Sequence, residues 1–363
     1  MNAGCKILEI TSYPPPRAGW GVRVQFLKQH LEAHGHRCVV LNTGPSRKIP
    51  STEYETVMSA GDYLRKVWRY SRDGFVCHVH VNGKSPQGLA LALAAEGINV
   101  VCGHRCFLTF HAGEEQVFFP RSRAPMLVPV FWMLFTIPKA IICNSAAVKS
   151  RIGEYGVSPA KISSIPAFSR QYLEFDPVSL GDPVERFLCR FPAVLFSYMH
   201  IQAGFHPDVL LDAFAVVARR RPDAGLLICG LMGHKDGPAW KDFQDRCEAN
   251  GLGDRVCTVD DFDHDQFLTA LRRASMYVRT PPADGVASSV LEALALATPV
   301  VAAENGSRPA GVVTYPATDA TALAEAVLRV LENRDAVVSA IPAPVIADTL
   351  VEEANLLTRQ MDQ

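Results

Sequence analysis

The sequence lacks a surplus of charge of either sign, a long apolar run and a cysteine pattern typical of disulfides. Its 363 residues carry 36 Lys and Arg against 37 Asp and Glu, a net charge of -1, which gives no electrostatic reason to expect a nucleic-acid partner. The 10 cysteines are scattered, several of them within apolar strand patterns, as in reduced cytoplasmic proteins. The N-terminus enters a strand pattern directly, so no signal peptide is expected and a cytoplasmic location is predicted.

Hydrophobic residues make up 48% of the chain, and its 25 Gly and 25 Pro are spread along it, which excludes a disordered or low-complexity protein. Strand and helix patterns alternate, break off after Ser169 and restart at Ala193. This alternation is typical of parallel sheets covered by helices on both faces. We therefore predict an α/β fold of two Rossmann-like, doubly wound parallel-sheet domains that face each other across a cleft.

The predicted boundaries follow that break. They are an N-terminal domain over 1–170, a linker over 171–192, a C-terminal domain over 193–345, and a helix within 346–363 that packs back toward the N-terminal domain.

The longest uncharged apolar run, Ala124–Pro138, contains three prolines and lies between Arg121/Arg123 and Lys139. It is shorter than the roughly 20 residues that a transmembrane helix needs. Two interpretations stay open: a buried helix between domains, or an apolar face with basic flanks that touches a membrane.

The first strand is followed by a proline-rich loop, Thr11–Gly21, that ends in Gly19-Trp20-Gly21. Glycines before a helix can cradle a phosphate with backbone N–H groups. The motif is not a dinucleotide fingerprint, since Val24 takes the third glycine position and no acid follows the second strand near Asn42. A plain turn is the alternative, although the length of the loop favours binding.

His111 stands at the carboxyl end of a buried strand, where parallel sheets bind ligands. A structural histidine is the alternative. The same histidine closes a cluster with Cys102, His104 and Cys106, but these residues do not have the spacing of a zinc site, and no metal is predicted.

The most informative segment runs from Pro281 to Ala295 and places two acids around a strand-to-helix turn. Asp284 lies in the turn, Gly285–Ser288 open the helix with exposed N–H groups, and Glu292 follows within it. Such N–H groups suit a diphosphate, and carboxylates accept hydrogen bonds from sugar or ribose hydroxyls. The alternative is an N-cap Asp and a solvated Glu, which the apolar neighbours of Glu292 disfavour.

These motifs resemble the retaining glycosyltransferases of family 4, which have the GT-B architecture. Asp284–Val301 is similar to their E-x7-E signature and the strand after it, Phe110–Gly113 to their T-x-H-G element, and Lys161–Pro166 to their K-I-x-x-I-P segment. A weaker similarity, in His264–Phe267 and Tyr277–Thr280, points to bacterial exopolysaccharide members.

The resemblance implies a role for each matching residue. His111 would lie beside the donor sugar, Asp284 would hold sugar hydroxyls, and Glu292 would bind the ribose. The implied donor-binding set is Gly19, Gly21, Gly285, Val286, Ala287, Ser288 and Glu292. Enzymes of this kind generally need no metal or other cofactor, because protein cations neutralise the leaving diphosphate.

The sequence departs from the family at those cations. Tyr198 and Ala203 occupy the positions of an Arg and a Lys that contact the diphosphate. Two missing donors, at roughly 3 kcal/mol each, would remove several kcal/mol of leaving-group stabilisation. We predict that Arg279 supplies a replacement catalytic cation, with Arg308 and His200 as second choices.

The predicted function is that of a retaining glycosyltransferase. It would move a sugar from a nucleotide diphosphate sugar to a hydroxyl of a glycan or lipid-linked acceptor, in the cytoplasm or at the inner face of the membrane. Two alternatives stay open: a GT-B protein that binds a nucleotide sugar or a partner without turnover, and a GT-B sugar-nucleotide epimerase.

Overall fold

The computed structural model describes residues 4–15, 17, 19–111, 116–282, 287–343 and 345–359. The chain divides into two compact units, Met1–Gln171 with Ala347–Gln363, and Tyr172–Ile346. Each unit contains a six-stranded parallel sheet. The predicted α/β class with two doubly wound parallel sheets is therefore confirmed.

Unit 1 has the strand order β2-β1-β3-β4-β5-β6. Its strands are β1 (Lys6–Thr11), β2 (Arg37–Asn42), β3 (Val76–Val81), β4 (Phe107–Phe110), β5 (Ala140–Cys143) and β6 (Ile162–Ser164). The helices between them are α1 (Gly19–Ala33), α2 (Ala60–Arg72), α3 (Pro86–Val101), α4 (Val128–Thr136) and α5 (Ala146–Gly153). Two apolar clusters cover the two faces of this sheet, because alternate strand residues such as Ile7 and Leu8 point to opposite sides.

Unit 2 has the strand order β12-β11-β10-β7-β8-β9. Its strands are β7 (Ala193–Tyr198), β8 (Ala224–Cys229), β9 (Val256–Thr258), β10 (Met276–Arg279), β11 (Val300–Ala303) and β12 (Val312–Tyr315). Its helices are α6 (Asp182–Arg190), α7 (Pro207–Arg220), α8 (Gly237–Ala249), α9 (His264–Arg273), α10 (Ser288–Ala295), α11 (Ala320–Glu332) and α12 (Arg334–Ser339).

The last helix, α13 (Thr349–Arg359), belongs to unit 1 and packs against α1. Its Leu350, Ala354 and Leu357 are buried against the α1 side of the first sheet. The side chain of Arg23 on α1 forms a buried ion pair with Glu353 on α13. It also donates to the carbonyl oxygens of Ala167 at 2.9 Å and Thr349 at 3.0 Å.

The segment predicted as a linker, 171–192, contains α6 instead. Val184 and Phe187 of this helix are buried in an apolar cluster of unit 2. Pro183 makes this segment resemble a loop, because proline breaks the interior of a helix. It fits the first turn of a helix, however, and stands there in α6. The linker prediction is wrong over this helix.

The apolar run Ala124–Pro138 forms a 3-10 turn and then α4. One side of α4 is buried in the core of unit 1 through Phe131, Leu134 and Phe135. The segment also exposes 93% of Met126 and 51% of Trp132. Among the described residues, no helix combines the length and apolar character that crossing a bilayer requires.

Candidate functional site

A row of polar side chains crosses one face of the first sheet, on the side of α1. Parallel pairing places Glu9 of β1 opposite His78 of β3, and His80 of β3 opposite Thr109 of β4. Because alternate residues of a strand share a face, Glu9, His78, His80 and Thr109 lie together. His111 follows Thr109 by two residues, just after β4, and extends the row past the carboxyl edge of the sheet.

Hydrogen bonds connect this row from end to end. The Glu9 carboxylate contacts His78 Nδ1 at 2.9 Å and His80 Nε2 at 2.7 Å. His80 Nδ1 lies 2.8 Å from His111 Nε2, and His78 Nε2 lies 2.7 Å from Thr109 Oγ1. Two bonds from His80 therefore connect His111 to a carboxylate in the middle of the sheet.

Burial and mutual contacts shift the pKa values of the carboxylate and the histidines of this row in different directions. Burial raises the pKa of Glu9, but the charges and hydrogen bonds of His78 and His80 outweigh it and bring the pKa to about 2. Burial lowers the pKa of His78, yet the facing Glu9 carboxylate outweighs it and raises that pKa overall. Burial, together with neighbouring positive charge, lowers the pKa of His80 and lowers that of His111 well below its usual value. Glu9 is thus ionised, and His80 and His111 are neutral at pH 7.

The glycine motif lies beside His111. Helix α1 already begins at Gly19, so the motif forms its first turn rather than the end of a loop. The Trp20 ring meets the His111 ring edge-on, with centroids 4.6 Å apart. Gly21 packs tightly, because a Cβ there would lie 3.3 Å from both Pro14 Cδ and the Ser12 carbonyl oxygen. The first-turn N–H groups and His111 thus lie at one edge of the sheet.

Unit 1 also holds a cavity of about 650 Å³. Its lining combines the apolar Val57, Leu91 and Ile10 with the basic Arg47 and Lys48. No acidic residue is among its lining residues in the described part of the chain. The cavity suits a ligand that has both an apolar part and a polar or anionic part.

The histidine row also contains the one candidate metal cluster in the part of the chain that the structure describes. Glu9, His78 and His80 have donor atoms within 4.8 Å of one another. Both histidines bond the carboxylate directly, so hydrogen bonds hold this cluster together. Cys102, His104 and Cys106 do not come within that reach among the described residues. That the reaction uses no metal stays a prediction.

In unit 2, Arg279 ends β10, at the edge of the sheet where β7 also ends. Its side chain is only 8% exposed. Its Nη1 donates to the Tyr198 carbonyl oxygen at 3.1 Å, and its guanidinium lies 5.3 Å from the centre of the Phe205 ring. The resemblance places the two missing cations at Tyr198 and Ala203, in the segment that runs from Tyr198 toward Phe205. A cation from the neighbouring strand thus lies against that segment.

The two second choices differ from Arg279. His200 stacks on Phe205 and His234. Burial, together with the neighbouring His234 and Arg279, lowers its pKa to about 4. His200 is therefore neutral at pH 7 and does not supply a cation. Arg308 donates to the carbonyl oxygens of Ala303 at 2.9 Å and Pro281 at 2.8 Å, which joins the end of β11 to the residues after β10.

Helix α10 carries the rest of the predicted donor site. Ala287 is its N-cap and offers no side-chain hydrogen bond to the first turn, which Ser288 begins. Glu292 is fully buried, so the alternative of a solvated helix Glu is wrong. Asp284, Gly285 and Val286 lie outside the described residues. The structure thus packs α10 against β10, the strand that Arg279 ends, in unit 2, and brings His111 and the glycine motif together in unit 1.

Sequence reasoning missed Glu9, His78 and His80. Glu9 stands between the apolar Leu8 and Ile10 of β1, and the two histidines occupy alternate positions of the otherwise apolar strand Val76–Val81. Two polar residues at strand period within a buried strand indicate a shared polar face. That signal was present, but the partner Glu9, 69 residues away, becomes visible only when the strands are paired.

The chain matches a glycosyltransferase family model over most of each unit and belongs to the GT-B glycosyltransferases. Residues 18–168 match the model described as Glycosyltransferase Family 4, and residues 192–342 match the model described as Glycosyl transferases group 1. No curated protein matches the chain.

Solved structures agree on the fold. HepE from Anabaena, in complex with UDP and glucose, is 14% identical with a TM-score of 0.65, over 99% of this chain and 100% of that one. A UDP-N-acetylglucosamine 2-epimerase from Listeria monocytogenes is 14% identical with a TM-score of 0.66, over 99% and 97%. Sucrose-phosphate synthase from Thermosynechococcus elongatus is 16% identical with a TM-score of 0.62, over 98% and 99%.

Proposed function

We propose that the protein transfers a sugar, with retention, from a nucleotide diphosphate sugar to an acceptor hydroxyl. The observation that carries this proposal is the buried Arg279 guanidinium against Tyr198 and Phe205, where the family's cations are missing. A desolvated cation stabilises the negative charge that develops on a leaving diphosphate. It therefore supplies what the sequence otherwise lacks for turnover.

The other residues take the roles that the resemblance gives them. Glu292 accepts hydrogen bonds from the ribose, and the N–H groups at Ala287 and Ser288 face the diphosphate. His111 contacts the donor sugar, and the first turn of α1, from Gly19 to Gly21, lies near the phosphates. The acceptor, a glycan or a lipid-linked intermediate, occupies the cavity of unit 1, whose mixed lining suits such a molecule. No metal takes part in this scheme.

A second candidate is a GT-B protein that binds a nucleotide sugar without turnover. Tyr198 and Ala203, in place of the two cations, favour it. A sugar-nucleotide epimerase is a third candidate, because an epimerase is among the structural neighbours. Dependence of product formation on an added acceptor separates a transferase from both.

Replacing Glu292 with glutamine tests the donor site. Hydrogen bonds to a charged group contribute about 1.5–3 kcal/mol, so donor affinity should fall about 10- to 100-fold. A thermal-shift panel of UDP, GDP, ADP, CMP and dTDP, with their sugar conjugates, measures this loss. A ligand at about 100 times its Kd adds about 2.7 kcal/mol of stability.

The matched control is Glu96→Gln, a fully buried glutamate on α3 of unit 1. Burial raises the pKa of Glu96 to about 9, so the substitution changes little charge and should leave nucleotide binding unchanged. Equal binding by wild type and Glu292→Gln would remove the ribose role from Glu292.

We also propose that the exposed apolar residues around α4 contact an anionic membrane surface. The exposed Met126 and Trp132 lie between the exposed Arg121 and Arg123 on one side and Lys139 on the other, an arrangement typical of interfacial segments. If about 100 Å² of the Trp132 ring leaves water on binding, removing the ring weakens the free energy of membrane binding by about 2.5 kcal/mol. Trp132→Ser should therefore weaken flotation with phosphatidylglycerol vesicles tenfold or more, whereas Trp68→Ser, 43% exposed on α2, should not. Wild-type protein that stays off such vesicles would contradict the proposal.

A further inference from the structure

We propose that Glu9 and His80 are positioning residues that fix His111 as a hydrogen-bond acceptor for a sugar hydroxyl. In this arrangement the proton of the His111 ring resides on Nε2, and Nδ1 presents a lone pair. The inference rests on the proposed function only for the identity of the ligand, because the arrangement itself is a property of unit 1.

Glu9 determines which ring nitrogens of His78 and His80 carry protons. An ionised carboxylate has only acceptor atoms, so His78 Nδ1 and His80 Nε2, at 2.9 and 2.7 Å, must both donate to it. His80 is then required to carry a proton on Nε2. Its other nitrogen, Nδ1, is protonated only if the ring is charged.

The charge balance of the buried cluster keeps His80 neutral. Arg23 pairs with Glu353, which leaves the Glu9 carboxylate to be balanced by one histidine. His78 is better placed for that charge, because its Nε2 also lies 3.9 Å from Glu353 Oε1. The second histidine on the same carboxylate then stays neutral, in agreement with the lowered pKa of His80.

A neutral His80 determines the state of His111. His80 Nδ1 has a lone pair and lies 2.8 Å from His111 Nε2, so His111 must donate from Nε2. Since burial keeps His111 neutral as well, its Nδ1 bears no proton. A hydroxyl that donates a hydrogen bond is the matching ligand, and a carbonyl or ether oxygen is not.

The orientation of the His111 ring is fixed from two more directions. Its backbone N–H donates to the Val81 carbonyl oxygen at 2.8 Å. Its ring lies nearly coplanar with that of His80, at 17° between the planes, as the hydrogen bond between their edges requires, and the Trp20 ring meets it edge-on. The lone pair of Nδ1 is therefore presented in a set direction, as preorganised binding requires.

The test is the tautomer of His111, read from ¹⁵N chemical shifts of histidine-labelled protein without ligand at pH 7. The His111→Asn variant assigns the signals. In wild type, the proton should reside on Nε2. In Glu9→Ala and in His80→Leu, which leaves the Glu9–His78 bond in place, the other tautomer should appear. His36→Leu, elsewhere in unit 1, should leave the signals of His111 unchanged.

A wild-type His111 with its proton on Nδ1, or with a charged ring, would overturn the inference. If His80 were charged, its Nδ1 would donate to His111 Nε2, and the proton of a neutral His111 would then reside on Nδ1. His111 signals that stay unchanged in both folded variants would overturn it as well. The readout is independent of turnover, so a correct tautomer without nucleotide-sugar binding would count against the proposed function alone. If the tautomers become equally populated, apparent donor affinity falls only about twofold, which makes the spectrum the sharper measurement.

Discussion

Replacing Arg279 with alanine is expected to lower turnover of the nucleotide-sugar donor by about 100- to 1,000-fold, the usual loss when one donor to a developing anion is removed. The expected effect is large because Arg279 is 8% exposed and acts where water does not screen its charge. Initial rates of nucleoside diphosphate release measure it. Arg279→Lys should recover part of the rate, because it keeps the charge but loses the planar donor geometry.

The chain offers a close control for this variant. Arg255 lies before β9, at the opposite end of its strand from the proposed site. It makes the same kinds of contact as Arg279: it donates to the Pro222 carbonyl oxygen at 2.7 Å and lies 5.8 Å from the Phe191 ring. Arg255→Ala should leave turnover near that of wild type. Near-normal rates for Arg279→Ala, with unchanged thermal unfolding, would remove its catalytic role.

Replacing Arg23 with alanine should lower the free energy of unfolding by about 3–5 kcal/mol, because a buried Glu353 carboxylate then loses its counter-charge. The two side chains are 3% and 0% exposed, so water does not take the place of the guanidinium. The hydrogen bonds to Ala167 and Thr349 are lost as well. The change is read as a fall in the melting temperature, at roughly 2–4 °C per kcal/mol for a unit of this size.

The double variant Arg23→Met, Glu353→Leu distinguishes charge from packing. With both charges gone, it should unfold at a higher temperature than Arg23→Ala. Arg37→Met, which alters an exposed arginine at the start of β2, should change stability by less than about 0.5 kcal/mol. A loss below about 1 kcal/mol in Arg23→Ala would mean that the buried pair does not hold α13 against α1.

Much of the fold follows from local pattern. Buried strands such as Val76–Val81 and Phe107–Phe110 stand out as apolar runs between turn signals, and their alternation with helices determines a parallel sheet. The amphipathic helices α2 and α6 are hard to predict because charged residues surround short apolar stripes, such as Tyr63, Val67 and Tyr70 in α2. In both helices, core packing stabilises a segment whose composition resembles a loop.

The candidate site was predicted unevenly for a physical reason. His111 and the segment after β10 follow strands, and the carboxyl edge of a parallel sheet is predictable from sequence. The connection from His111 to Glu9 depends on the register of three strands, which no local pattern contains. The burial of Glu292 agrees with its apolar neighbours, whereas the contact of Arg279 with Tyr198 and Phe205 arises only because β10 pairs with β7.

The central claim is tested most directly by following the donor itself. The protein is incubated with a panel of UDP-, GDP-, ADP- and dTDP-sugars, alone and with candidate acceptors, and proton NMR follows the nucleotide and the anomeric signals. We predict that one donor is consumed, that its nucleoside diphosphate appears with a glycoside of unchanged anomeric configuration, and that the rate rises with acceptor. Tight binding of a donor that stays intact under every condition, or its conversion to an epimer without acceptor, would contradict the account.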